Sequence, residues 1–144
     1  VWEKNPKLMY LGMQDQWYTF NMFDAQAWYA RDVILGRVQL PSYNEMQSHT
    51  KEWHELETAD PSVAYAYKFQ GDYIQMLVDE TDYPNFDIEG MRLTFLDWKN
   101  NKKDNIMTFR DKSHKSLMTG TQSPPHHTPW LKALDDSLES YLDI

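Results

Sequence analysis

The chain has 144 residues, a formal net charge of −8 and a hydrophobic fraction of 41%, which suits one domain, or part of one, with a substantial core. The acidic excess argues against binding to a nucleic-acid backbone, because that affinity comes mainly from Lys and Arg. The absence of cysteine excludes disulfides, thiolate metal sites and cysteine nucleophiles, and the longest aliphatic run, residues 33–35, is too short to cross a membrane. No positively charged and then apolar signal segment is seen at Val1. The absence of cysteine is consistent with a reducing cytoplasm, which is the expected location.

A strand–turn–helix unit is predicted near the start of the chain. Residues 7–11, which contain a short apolar run from Leu8, predict a strand that ends at Gly12. Asn21 is expected to cap the following helix, and Asp24 to add negative charge to its first turn. Gly36 is expected to end it. Residues spaced by three and four positions predict its apolar face, and they are Phe23, Ala27, Ala30 and Ile34.

Further helices are predicted downstream. Ser42 and Glu45 form a capping box that starts a second helix, which extends to about residue 57. Pro61 is expected in the first turn of a third helix, which extends to about residue 81 and which Gly71 bends or splits. Asp87 is expected to cap a fourth helix, which extends to about residue 103. The remaining elements are a turn at 82–87, a short helical or irregular piece at 105–110, a loop at 118–127 and a last helix at 128–142.

One predicted strand cannot form a sheet, because its backbone groups need hydrogen-bonding neighbours. We therefore expect the chain to be the C-terminal part of a larger protein, or to pair with a partner chain. The five glycines lie too far apart for a GxGxxG or GxxxxGK[ST] phosphate loop. The start of the first helix still offers unpaired N–H groups, which favour a delocalised anion such as the edge of a reduced flavin. An ordinary strand–helix unit of a core is the alternative.

The composition contains six Trp, nine Tyr and six Phe residues, which is unusually rich in aromatic side chains. Large aromatic rings suit a tightly packed core. They also suit the wall of a flat ligand site or a cage around a cation. Composition leaves both interpretations open.

The segment YLGMQDQWYTFNMFDAQAWYARDVILG, residues 10–36, closely resembles the last strand and helix of the FAD domain of bacterial flavin-containing monooxygenases, the trimethylamine monooxygenase group. The resemblance continues in the segments GDYIQMLVDETDYPNFD, FLDWKNNKKDNIMTFRD, SLMTGTQSPPHHTPW and ALDDSLESYL. It spans residues 6–142 and corresponds to the C-terminal third of such an enzyme. The family's FAD fingerprint, signature motif and NADPH fingerprint belong to the part that precedes this third.

The resemblance implies an α/β parent enzyme with Rossmann-like domains that bind FAD and NADPH. This chain would be its mostly α-helical C-terminal part, with one or few short strands. Residues 1–40 would close the FAD-binding domain as its strand, turn and helix, and residues 41–144 would form a helical C-terminal extension. The implied partners are the rest of the monooxygenase and a second copy in a homodimer, and the isolated chain is expected to be inactive.

The implied reaction is the oxygenation of soft nucleophiles, which are tertiary amines such as trimethylamine, sulfides and indole. In this family NADPH reduces the flavin, O2 adds to give a flavin hydroperoxide, and the substrate takes the distal oxygen atom. Two other functions fit the same residues: a noncatalytic helical interaction module derived from this segment, and a related flavoprotein that oxygenates ketones. Yellow protein would favour an enzyme, and colourless protein of 17.2 kDa would favour the module.

The resemblance also implies roles for the residues just before the first long helix. Gln16 and Thr19 are expected to hydrogen-bond the ring edge of the flavin. Asp15 is expected to be the catalytic acidic residue beside the nicotinamide, where it positions water or cofactor or counters a cationic substrate. A loop turn is the alternative role of Asp15. Trp17 and Trp98 are expected to wall the substrate cavity, although Trp98 also suits a packed core position.

Arg110 lies in the only basic cluster of this acidic chain, and we expect it to bind the 2′-phosphate of NADPH. A solvated face is the alternative interpretation of the cluster. Its other members are Lys99, Lys102, Lys103, Lys112 and Lys115. No metal site is expected, because His54 lacks the second histidine of HExxH, and the adjacent His126 and His127 would point in different directions in extended chain.

Overall fold

Four α-helices and one 3₁₀ turn make up the regular structure of the computed structural model, which describes residues 1–12 and 15–122. They are α1 (Thr19–Ile34), α2 (Tyr43–Glu57), α3 (Val63–Asp79), α4 (Ile88–Asp104) and the 3₁₀ turn Phe109–Asp111. The chain divides into two compact units, Val1–Arg92 and Leu93–Ile144. The mostly helical, strand-poor class is confirmed. The predicted last helix at 128–142, most of the loop at 118–127, and His126 and His127 lie outside the described residues.

The strand predicted at residues 7–11 does not form, because a strand needs a neighbour and the described residues supply none. The only β-bridges in the described chain are isolated ones, which pair Trp2 with Asn5 and Lys115 with Gln122. The start of the chain instead turns back on itself: the Trp2 amide donates to the Leu8 carbonyl at 2.9 Å. Residues 7–11 are therefore an irregular segment and not a strand.

Local capping signals place the starts of α2 and α4 as predicted. The Glu45 amide donates to Ser42 Oγ at 3.4 Å, and the Ser42 amide donates to Glu45 Oε2 at 2.8 Å, so the capping box is complete. The Gly90 amide donates to Asp87 Oδ1 at 2.8 Å, which satisfies one of the first amides of α4. These contacts are local in sequence, and sequence reasoning therefore found them.

The third helix differs from its prediction in two respects. Ser62 is its N-cap and accepts a hydrogen bond from the Tyr65 amide at 3.2 Å, so Pro61 lies before the helix rather than in its first turn. Gly71 does not split α3, which is continuous from Val63 to Asp79. It is buried, and a Cβ atom there would lie 3.4 Å from Cγ2 of Ile88, which is an ordinary van der Waals contact.

The first helix begins at Thr19, two residues before the predicted cap Asn21. Tyr18 occupies the N-cap position without a side-chain capping hydrogen bond, and the first turn contains no acidic residue. The prediction that Asn21 caps the helix and that Asp24 lies in its first turn is therefore wrong. The helix ends near the predicted position, and Gly36 follows it with a φ of 69°.

Both α1 and α2 pack on α3, but α1 uses a different face from the predicted one. Of the predicted apolar residues, Ala30 is buried and Phe23 half-buried, whereas Ala27 is exposed and Ile34 is 76% exposed. The buried residues of α1 are Met22, Ala25, Gln26, Ala30 and Asp32. Those of α3 are Tyr67, Gln70, Gly71, Ile74, Leu77 and Val78. Each set follows helical spacing along one face.

A charged network ties the end of α1 to the turn at 82–87. Trp28 Nε1 and Arg31 Nη2 both donate to Asp82 Oδ1. The buried Asp32 carboxylate pairs with Arg31 at 2.8 Å and with Arg37 at 3.3 Å. The Arg31 hydrogen bond lowers the pKa of Asp32, and the Trp28 and Arg31 hydrogen bonds lower the pKa of Asp82. Both carboxylates are therefore held ionised at neutral pH.

Among the described residues, no helix combines the length and the apolar character that a bilayer crossing requires.

Candidate functional site

A cavity of about 590 Å³ opens beside the loop that precedes α1. Asp15 and Trp17 contribute to its wall from this loop. The helices α2 and α3 and their connection contribute further rings, carboxylates and an amide, among them Trp53, Glu57, Asp60, Tyr65, Phe69 and Gln70. Among the described residues that line it, none is Lys or Arg. The site that the sequence predicted thus borders an aromatic, acidic cavity.

The buried Gln70 on α3 holds the backbone of this loop. Its Oε1 accepts a hydrogen bond from the Trp17 amide at 2.8 Å, and its Nε2 donates to the Asp15 carbonyl at 2.9 Å. Gln70 is only 8% exposed, so both polar ends of its amide are used where water is largely excluded. The loop therefore has a fixed backbone at both residues that flank Gln16.

A second buried glutamine, Gln26 on α1, holds the start of the same loop. Its Oε1 accepts from the Gly12 amide at 2.8 Å, and its Nε2 donates to the Tyr73 hydroxyl at 3.2 Å. Gly12 has a φ of 71°, and a Cβ atom there would overlap the ring of Phe23. A glycine is therefore required at this turn both by conformation and by space.

Sequence reasoning missed both glutamines. Gln70 lies three residues after Tyr67 and four before Ile74, on the buried face of α3, so a polar side chain interrupts an otherwise apolar stripe. Gln26 interrupts the buried face of α1 in the same way. A buried amide needs hydrogen-bond partners, so this interruption was the available signal. The partners themselves lie 53 and 55 residues away from Gln70 and were not visible in the local pattern.

Four of the predicted site residues lie together on this loop and at the start of α1. The Asp15 side chain is exposed, while its carbonyl is held by Gln70. Gln16 Nε2 donates to the Gly12 carbonyl at 3.1 Å, and Gln16 Oε1 is buried with no hydrogen-bond partner among the described residues. Thr19 is exposed and is the first residue of α1. The amides of this first turn have no acceptors within the helix.

Two aromatic residues fix the remainder of the loop. The ring of Trp17 lies edge-on to Tyr67, with 5.1 Å between the ring centroids, and Trp17 stays 38% exposed. Tyr18 is 1% exposed, and its hydroxyl donates to the Tyr67 carbonyl at 3.2 Å. Burial raises the pKa of the Tyr18 phenol, so it remains a neutral donor. Trp17 is thus anchored on one edge and open on another.

The other two predicted residues, Trp98 and Arg110, lie in the second unit, where both contact Phe109. The Trp98 ring packs edge-on against Phe109 at 5.5 Å, and the guanidinium of Arg110 lies 4.4 Å from the Phe109 centroid. Lys102 Nζ lies 5.3 Å from the centroid of Trp98. Trp98 is half-buried and has a packing role, whereas Arg110 is exposed. Within the basic cluster, Lys112 pairs with Asp97 at 2.6 Å.

The chain is similar in sequence to bacterial trimethylamine monooxygenases. It is 56% identical over 139 residues to the one from Roseovarius nubinhibens, which covers 96% of this chain and 31% of the relative. It is 51% identical over 140 residues to the one from Methylocella silvestris, with 97% and 31% covered. A flavin-containing monooxygenase of Arabidopsis thaliana, FMO GS-OX-like 2, is 32% identical over 87 residues, which are 57% of this chain and 19% of the relative. No family model matches the chain.

The structure matches as well. The crystal structure of Tmm from Pelagibacter sp. strain HTCC7211 superposes with a TM-score of 0.87 and 45% identity, over 97% of this chain and 32% of that chain. The chain therefore spans about a third of the length of the relatives that it matches. The resemblance stated from the sequence is confirmed: this chain matches the C-terminal third of the flavin-containing monooxygenases of the bacterial trimethylamine monooxygenase group.

Proposed function

We propose that the full-length protein is an FAD- and NADPH-dependent monooxygenase that oxygenates soft nucleophiles. Tertiary amines such as trimethylamine are the first candidate substrates, followed by sulfides and indole. One observation carries the assignment: relatives named trimethylamine monooxygenase are 45–56% identical to this chain along at least 96% of its length. The geometry of the loop before α1 supports the part of the proposal that concerns the flavin.

The residues at the start of α1 fit the pyrimidine edge of a flavin. That edge offers an N–H donor between two carbonyl acceptors. Gln16 Oε1 is a buried acceptor without a partner among the described residues, which suits the N–H group. The first amides of α1, including that of Thr19, suit a carbonyl, because no side chain caps them. The positive end of the helix dipole also favours the anionic form of a reduced ring.

A bound flavin, once reduced by NADPH, supplies the chemistry that activates O2, gives one oxygen atom to the substrate and releases the other as water. This chain's own residues orient the ring and shield the site. Trp17, which is 38% exposed beside the cavity, is proposed to cover one side of the site and to exclude water from it. The Asp15 carboxylate attracts a protonated amine or orients the nicotinamide. An amine must then lose its proton, since only its neutral form has a lone pair to oxygenate.

We propose that Arg110 binds the 2′-phosphate of NADPH and that Trp98 contacts the substrate. Arg110 is exposed and makes no ion pair with any described carboxylate, so its guanidinium fork is available to a 2′-phosphate. The guanidinium of Arg110 stacks on Phe109, which limits the motion of this side chain. Binding of the phosphate would therefore cost less side-chain entropy. Trp98, whose ring also contacts Phe109 and Lys102, is proposed to contact the substrate. The homodimer and the cytoplasmic location stay predictions.

Purified full-length protein tests the proposal directly. We expect a flavin absorption spectrum, and NADPH oxidation that yields the N-oxide when trimethylamine is added. A thioether and a ketone, tested in parallel, report the substrate class, and dominant ketone oxygenation would redirect the assignment. Colourless protein that neither binds FAD nor oxidises NADPH would contradict the proposal and favour a noncatalytic module.

Matched variants test the individual roles. Gln16→Ala is expected to weaken flavin binding, whereas Gln39→Ala should not, although Gln39 Nε2 makes an equivalent bond to the Gly36 carbonyl at 3.2 Å. Asp15→Asn is expected to lower turnover by at least about tenfold, as for loss of a charge that acts on the reacting groups. Arg110→Ala is expected to raise the KM for NADPH, with the exposed Lys103→Ala as control. Unchanged parameters in Gln16→Ala, Asp15→Asn or Arg110→Ala would refute the role of that residue.

A further inference from the structure

We propose that Gln70 is a positioning residue: its side-chain amide fixes the backbone at Asp15 and Trp17, and thereby sets where the side chains of this loop point. The link from loop geometry to turnover rests on the proposed function. The link from Gln70 to the loop does not, because both hydrogen bonds lie within this chain. The two links can therefore fail separately.

The contact is bidentate and part-buried. Gln70 Oε1 accepts from the Trp17 amide at 2.8 Å, and Nε2 donates to the Asp15 carbonyl at 2.9 Å, so the side chain pairs with the loop much as a strand residue would. At 8% exposure, water cannot easily replace either bond. Breaking such a contact leaves a part-buried backbone group unpaired, which destabilises the loop.

The same turn of α3 contacts this loop at several points. One turn of α3 carries both Gln70 and Tyr67, and Tyr67 receives the Tyr18 hydroxyl on its carbonyl and the edge of Trp17 on its ring. Residues 15, 17 and 18 are thus all held by the same turn of one continuous helix. A shift of this turn would move the loop as a body, together with the start of α1.

The chemistry at position 70 requires an amide. Methionine preserves the volume but removes both hydrogen bonds. Glutamate preserves the acceptor for the Trp17 amide, but when ionised it places a negative oxygen against the Asp15 carbonyl. A protonated glutamate restores a donor, so the defect of Gln70→Glu should diminish as the pH falls. That pH profile distinguishes positioning by a hydrogen bond from simple packing.

The test compares Gln70→Met with Gln75→Met in the full-length protein. Gln75 is a matched control, because it lies on the same helix and its Nε2 donates to Asp79 Oδ1 at 2.7 Å, within α3. We expect the Trp17 amide to exchange its hydrogen at least about tenfold faster in Gln70→Met and at the wild-type rate in Gln75→Met. We also expect kcat to fall by about tenfold or more in Gln70→Met, while the KM for NADPH stays within about twofold.

Wild-type exchange at Trp17 in Gln70→Met would overturn the proposal. Exchange that accelerates while kcat stays at the wild-type value would overturn its catalytic part. If Gln70→Met does not fold, Gln70→Glu decides: its activity relative to Gln75→Glu should rise as the pH falls, and a flat ratio would overturn the proposal. Wild-type protein without flavin or oxygenation would refute the proposed function instead, and the exchange measurement would still judge the hold of Gln70 on the loop.

Discussion

Replacing Gly12 with alanine tests whether the turn before the candidate site is as tightly packed as the structure shows. Gly12 has a φ of 71°, a region that L residues disfavour, and a Cβ atom there would overlap the Phe23 ring. Gly36 provides a matched control, because its φ is 69° and a Cβ atom there would meet nothing within 4 Å. The two substitutions share the conformational cost and differ only in the contact.

The magnitude follows from these two terms. The left-handed conformation costs an alanine about 1–2 kcal/mol relative to glycine. Insertion of a methyl group into a packed contact costs roughly 1–3 kcal/mol more, depending on how far Phe23 and the loop can move. Gly36→Ala should therefore lower the free energy of unfolding by about 1–2 kcal/mol and Gly12→Ala by about 2–5 kcal/mol. The gain from a stiffer unfolded chain is common to both and cancels in the comparison.

Urea unfolding of the two variants, followed by far-UV circular dichroism, measures this difference. A double variant, Gly12→Ala with Phe23→Leu, should recover part of the loss, because the smaller side chain makes room for the methyl group. If Gly12→Ala proves no more destabilising than Gly36→Ala, the Phe23 ring does not cover Gly12 in solution. The inference that this loop is held in one conformation would then lose its support at Gly12.

Three further perturbations probe the scaffold. Ser42→Ala removes the capping box of α2 and should lower the free energy of unfolding in urea by about 1 kcal/mol. An unchanged free energy of unfolding would mean that the start of α2 is frayed. Ile74→Ala, at a fully buried position, should cost about 2–5 kcal/mol, and Ile34→Ala, at a site 76% exposed, less than about 0.5 kcal/mol; equal costs would contradict the assigned core. The interaction with Arg31 that lowers the pKa of Asp32 stabilises the fold above about pH 4, and this contribution is lost as the pH falls through the pKa of the folded state. Asp32→Asn should therefore flatten the decline in stability during an acid titration. An unchanged slope would argue against the ion pair.

Sequence signals that act over three or four residues predicted the structure well. The capping box at Ser42 and the cap at Asp87 gave the starts of α2 and α4, because each satisfies an amide one turn away. The loop that contains Asp15 and Trp17 was placed correctly before α1. Its anchoring was not predicted, since Gln70 reaches it from more than 50 residues away and a single sequence does not reveal such pairs.

The wrong face assigned to α1 shows why periodicity alone could not complete the prediction. Phe20, Ala27 and Ile34 recur every seven residues and are exposed, at 82% for Phe20 and 76% for Ile34, while a second stripe that includes Met22 and Ala25 packs in the core. Two apolar stripes on one helix satisfy the same spacing rule, and only the partner decides which is buried. The described residues supply a partner for one stripe. Because the chain spans about a third of its relatives' length, we expect the other stripe to pack on polypeptide from the remaining two thirds, with α1 between two layers.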